Sequence, residues 1–140
     1  MPSSIRISQE YPYPIDHIWF ALTDANALGT WLMPNTFQEK MHHKFQFRTP
    51  PQTGFDGIVE CEVIGLVAPT FLAYTWKGGP MKRPTTVRWH LEAIGEQRTK
   101  LTLEHTGFEG VSGFVVKAIL GFGWKKLLLQ KLQKHLDKTP

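Results

Sequence analysis

The sequence predicts an α+β domain: a twisted antiparallel sheet of about six strands wraps around a long C-terminal helix, with two short helices after the first strand. Three observations carry this expectation. Between Phe37 and Thr106 the apolar residues recur with a period of two, the mark of strands wet on one side. Helical periodicity flanks that stretch at both ends. The chain has 140 residues, 41% of them hydrophobic, with five Trp and nine Phe, so one domain spanning residues 1–140 can bury a core without staples.

Ile5 and Ile7 alternate with Arg6 and Ser8 and predict the first strand, which Tyr11-Pro12-Tyr13-Pro14 ends. Pro14 suits the first turn of a helix whose apolar face is Ile15, Ile18, Trp19 and Leu22. Thr23-Asp24 stops that helix and caps the next, residues 25–32, which carries Leu28 and Trp31 and ends at Pro34-Asn35. Met41, His43, Phe45 and Phe47 then alternate with polar neighbours, and Thr49 to Gly54 forms a turn. Val59, Cys61 and Val63 make the next apolar row, and Leu72, Tyr74 and Trp76 follow Pro69. Thr85, Val87, Trp89 and Leu91 form one further row, and Thr99, Leu101, Leu103 and His105 another. The short connections favour a meander. After Gly107 a helix is expected from Ser112 to Leu136, roughly 37 Å long at 1.5 Å per residue. Its principal row is Phe114, Ala118, Phe122, Lys125 and Leu129, with Val115, Leu128, Leu132 and Leu136 nearby, and Gly121 and Gly123 mark a bend or a close approach.

Net charge is +4 with a pI near 9.3, but the basic residues are dispersed. No Lys/Arg run or helix-turn-helix pattern accompanies them, so nucleic acid is not the expected partner. A single cysteine, Cys61, excludes an intramolecular disulfide and a cysteine-based zinc site. Met1 to Glu10 lacks a signal-peptide core, and no segment has the apolar length of a membrane span. A cytoplasmic protein is expected.

The element order and particular residues resemble the SRPBCC superfamily, which includes birch-pollen-allergen-like and START-like domains. Within it they resemble the branch named after the activator of the heat-shock chaperone's ATPase. The residues that carry the likeness run in order from Tyr13-Pro14-Ile15-Asp16-His17-Ile18-Trp19 through Thr23-Asp24-Ala25, Leu28 to Trp31, and Pro34. They continue with Asp56-Gly57 to Val63, Leu72-Ala73-Tyr74-Thr75-Trp76, Thr99 to Phe108, and Gly123-Trp124 with the Leu-rich end. The resemblance implies a helix-grip fold with a cavity between the sheet and the last helix, used for hydrophobic or aromatic small molecules. Some relatives are cyclases or dehydratases of polyketide-type substrates. A chaperone role is not implied, because the eukaryotic activator has a separate N-terminal chaperone-binding domain for which this chain has no room.

Strand parity selects the residues able to face such a cavity. His43, Phe45, Phe47, Cys61, Tyr74 and Trp76 point inward from the first half of the sheet. Trp89, Leu103 and His105 do so from the second half, and Phe108, after Gly107, is a further candidate for the pocket wall. Trp31 comes from the second short helix, and Phe114, Ala118 and Phe122 come from the last helix. Six histidines raise a metal or acid–base reading, but His42 and His43 point to opposite sides and no zinc-ligand spacing occurs. Glu60, Glu62, Glu92 and Glu104 all take the wet parity, so the interior lacks a carboxylate pair. Cys61 should be buried and inert. Buried histidines usually find ordinary hydrogen-bond partners, and His43 and His105 are expected to do the same.

No catalytic constellation is visible, and neither a metal nor a cofactor is expected. The leading reading is a carrier or sensor of a hydrophobic small molecule, with room for a homodimer. The alternative is a cyclase or dehydratase with His43 or His105 as general base and Tyr74 as orienting donor. A protein-interaction domain would need a large apolar patch on the outer sheet face, which the polar parity of that face argues against.

Overall fold

The computed structural model describes residues 3–51, 56–79, 81, 83–108 and 123–138. The chain order is strand β1 (Ser3–Tyr11), helix α1 (Ile15–Thr23), helix α2 (Ala25–Trp31), then strands β2 (Lys44–Arg48), β3 (Ile58–Val67), β4 (Phe71–Trp76), β5 (Thr85–Ala93) and β6 (Thr99–Phe108). Helix α3 closes the chain over residues 123–138. All six strands form one antiparallel sheet in the order β1-β6-β5-β4-β3-β2. Strands β2 to β6 are the expected meander, and β1 joins β6 at the far edge. This is the α+β, helix-grip arrangement that the sequence predicts.

Asp24 ends α1 and caps α2: its backbone N–H donates to the Phe20 carbonyl, and its side chain accepts from the Ala27 N–H at 3.0 Å. That side chain satisfies one of the free donors at the start of α2. Trp31 then pins the two helices together, its indole Nε1–H donating to the Ala21 carbonyl at 2.8 Å.

Strand β2 is shorter than expected. Pairing begins at Lys44, while Met41 and His42 lie in a turn in which His42 takes φ 66°. A positive φ at His42 breaks the period-two alternation, so parity cannot be extended back past His43 to Met41. Strand β3 bends at a bulge between Val63 and Gly65, which places Gly65 under the ring of Phe71. A Cβ on Gly65 would stand 2.6 Å from Phe71 Cε2.

The described part of α3 corrects the expected helical row. Lys125 and Leu129 face solvent, and the buried line is Trp124, Leu128, Leu132 and Leu136. The spacing of four would drift around an ordinary helix of 3.6 residues per turn. Over Leu127–Leu132, however, the hydrogen bonding is of the wider π type, and the wider turn keeps that line facing the sheet. The buried hydroxyl of Tyr11 donates to the Leu128 carbonyl within this turn at 2.7 Å, tying α3 to β1. At its far end, Tyr13 donates to Asp137. The expected helix start at Ser112, with Phe114, Ala118, Gly121 and Phe122, lies outside the described residues.

Candidate functional site

The inner face of the sheet is an aromatic surface. Phe47, Trp89, His105 and Leu103 are fully buried, and Trp31, Phe45, Cys61, Tyr74, Trp76 and Phe108 nearly so. Strand pairing sets them side by side: Phe45 opposite Cys61, Phe47 opposite Val59, Tyr74 opposite Val87, and Trp89 opposite Leu103. Ring centroids stand 5.2 Å apart for Phe45–Tyr74, 5.3 Å for Phe47–Trp76 and 6.3 Å for Trp31–Trp89. These are the edge-on and tilted contacts that aromatic quadrupoles favour.

Two polar features are set into this surface. The first is a closed relay around His105. The indole N–H of Trp124 donates to His105 Nδ1 at 3.1 Å. Because an indole nitrogen only donates, Nδ1 must carry the lone pair and the ring proton must sit on Nε2. That N–H donates to Thr85 Oγ1 at 2.7 Å, and the Thr85 hydroxyl donates to the Trp76 carbonyl at 2.8 Å. Burial lowers the His105 pKa from 6.5 to about 3, since charging the ring would require solvation that the interior does not provide. His105 is therefore neutral and fully partnered. Its inward position follows from parity, but Trp124 was not among the sequence candidates. The four-residue spacing from Trp124 to Leu136 was the signal that could have revealed it.

The second feature is the Tyr74 hydroxyl. It accepts from the Trp89 indole N–H at 2.9 Å, and among the described residues its own proton has no acceptor. Burial, the largest cause, pushes its pKa up, so the proton is retained. The nearby Cys61 thiol is likewise pushed up by burial and by the charge on Glu60, and it stays a thiol rather than a nucleophilic thiolate.

His43 does not join either group. It is half-buried, stacks parallel to Phe45 at 6.3 Å, and its Nε2 is 2.9 Å from the Thr36 carbonyl. Phe114, Ala118 and Phe122 lie outside the described residues. Among the described residues no group of three His, Cys, Asp or Glu is placed to hold a metal, and no helix is long and apolar enough to cross a membrane. A cleft of about 400 Å³ lies elsewhere, lined by Gln46, Asp56, Ile58, Glu60, Lys77, Gly78, Gly79 and Met81. It is polar and shares no residue with the sequence candidates.

Comparison with known proteins locates this architecture. Residues 12–137 match the family described as Activator of Hsp90 ATPase homolog 1-like protein. No curated protein matches the chain at a significant level. Among solved structures, protein MLL2253 from Mesorhizobium loti is 24% identical over 99% of each chain, with a TM-score of 0.86. The Aha1 dimer from Colwellia psychrerythraea is 20% identical over 97% of each chain, with a TM-score of 0.78. At these identities the two likenesses speak for the fold alone. PFC0360w, an HSP90 activator from Plasmodium falciparum, is 25% identical over 74% of this chain and 71% of its own, with a TM-score of 0.61.

Proposed function

The chain belongs to the Activator of Hsp90 ATPase homolog 1-like family, and we propose that it is a binding domain for a hydrophobic or aromatic small molecule held at the inner face of the sheet. The observation that carries this reading is the Tyr74 hydroxyl: a buried, protonated donor without an acceptor among the described residues. Its oxygen is paired with the Trp89 indole, and a hydroxyl can donate as well as accept, so its proton remains to be given to a bound acceptor. Phe45 and Phe47 pack against the Tyr74 ring, and the Trp89 indole holds its hydroxyl, so the partner that suits this donor is an apolar molecule carrying one oxygen acceptor, such as an aromatic ketone. Such lining, with a few polar anchors, is typical of small-molecule sites.

Carriage or sensing fits this site better than catalysis. Both nitrogens of His105 are engaged within the protein, and the Cys61 thiol is protonated, so neither offers a base or nucleophile. The reading also includes a homodimer, supported by the dimeric relative from Colwellia psychrerythraea.

Calorimetric titration of wild type and Tyr74→Phe with aromatic ketones and their matched hydrocarbons tests the ligand site. The wild type should prefer the ketone by about two- to tenfold, the worth of one hydrogen bond, and Tyr74→Phe should lose that preference while still binding the hydrocarbon. Circular dichroism checks that the variant stays folded. Equal affinity of the wild type for ketone and hydrocarbon, or no binding of either, would overturn the assignment.

A further inference from the structure

An open sheet edge presents a row of unpaired N–H and C=O groups, and proteins guard or occupy such edges. The two edges of this sheet differ. At β2 the edge is guarded: the Thr36 N–H donates to the Gln46 carbonyl at 3.1 Å, and the Arg48 N–H donates to the Pro34 carbonyl at 2.9 Å. At the other end β1 pairs with β6 from Ser3 to Tyr11. Among the described residues, no other chain segment pairs with its second side. Neither proline nor bulge interrupts that side between Ser4 and Tyr11, and Ile7 is only partly buried there.

The sequence along this edge is self-complementary. If two copies of β1 run antiparallel about a two-fold axis at Ser8, Arg6 of each copy stands opposite Glu10 of the other, Ile7 opposite Gln9, and Ile5 opposite Tyr11. Arg6 and Glu10 are on the outer face, with side chains 68% and 48% exposed. Glu10 already accepts from Arg98 at 2.8 Å through one carboxylate oxygen, which leaves the other for an incoming guanidinium. Arg6 lies 3.9 Å from Glu104, beyond hydrogen-bond distance. Shifting the register to centre on Ile7 would set Arg6 against Ser8 and separate the charges.

From this edge we infer that the chain dimerises by antiparallel β1–β1 pairing centred on Ser8, with reciprocal Arg6–Glu10 contacts fixing the register. The inference rests on the homodimer reading above and names its surface. Cross-strand opposite charges favour a register, and like charges directly opposite disfavour it, so the pairing can be switched. In Arg6→Glu both cross-dimer contacts become acid against acid, and in Glu10→Arg both become base against base. In a mixed pair of these two variants, both contacts regain opposite signs.

Sedimentation velocity on the full chain reads the outcome, with circular dichroism confirming that each variant is folded. Glu10→Lys replaces Glu10→Arg should the latter lose its fold. Each variant alone should raise the dimer dissociation constant at least about tenfold, and an equimolar mixture should return to within about threefold of the wild type. A dimer that persists unchanged in both variants would overturn the β1 interface while leaving the homodimer reading in place. A wild type that stays monomeric at millimolar concentration would overturn the homodimer itself.

Discussion

At the residue scale, His105 shows how a group chosen as a candidate base becomes a structural element. Its two nitrogens are consumed by Trp124 and Thr85, and burial holds it neutral with a pKa of about 3. In the unfolded chain the ring titrates near 6.5, so below that pH the unfolded state takes up a proton that the folded state refuses. Stability is therefore fully present above about pH 6.5 and falls as the pH drops toward 3. Lowering the pH from about 8 to about 5 should cost about 2 kcal/mol from this group. Urea unfolding of wild type and His105→Gln across this range checks the sign. The variant keeps a neutral acceptor and donor at the site and should lack this part of the slope, whereas an unchanged slope would show that the ring is charged in the folded protein. Parity along β6 made the inward direction of His105 legible in the sequence. The relay was not legible, because its partners lie on β5 and α3, and only tertiary packing brings them together.

At the element scale, the signals that read correctly were local. The Asp24 cap, the proline that opens α1 and the alternation along β3 to β6 each depend on neighbours a few residues away. The errors arose where one backbone angle or one widened turn reset a periodicity. His42 at positive φ cut β2 short and left Met41 exposed, and the π-type turn moved the buried line of α3 to Trp124, Leu128, Leu132 and Leu136. The β2–β3 connection depends on another such angle. Gly57 has φ +83°, and its carbonyl accepts from the Thr49 N–H at 2.8 Å. A Cβ there would stand 2.1 Å from the Thr49 carbonyl oxygen, which is backbone and cannot swing aside. Gly57→Ala should lower the unfolding free energy by at least about 2 kcal/mol, measured by chemical denaturation. A loss near zero would mean that the hairpin closes in some other way.

At the scale of the whole molecule, a six-stranded sheet presses its aromatic face against the apolar line of one helix, and among the described residues the outer side of β1 pairs with no other segment. The strand order was legible because hairpin connections dictate a meander, and the family likeness was legible from motifs spread along the chain. The ligand was not, because periodicity shows which side chains face inward but not which hydroxyl there keeps a proton to donate. The Tyr74 hydroxyl accepts from the Trp89 indole, and its own proton is the donor on which the proposed function depends. The most direct test is native mass spectrometry of the purified protein, before and after incubation with an aromatic ketone. An added mass of one apolar, oxygen-bearing molecule per chain is expected, carried over from expression or acquired on incubation and diminished in Tyr74→Phe. A bare chain mass in every sample would contradict the proposed function.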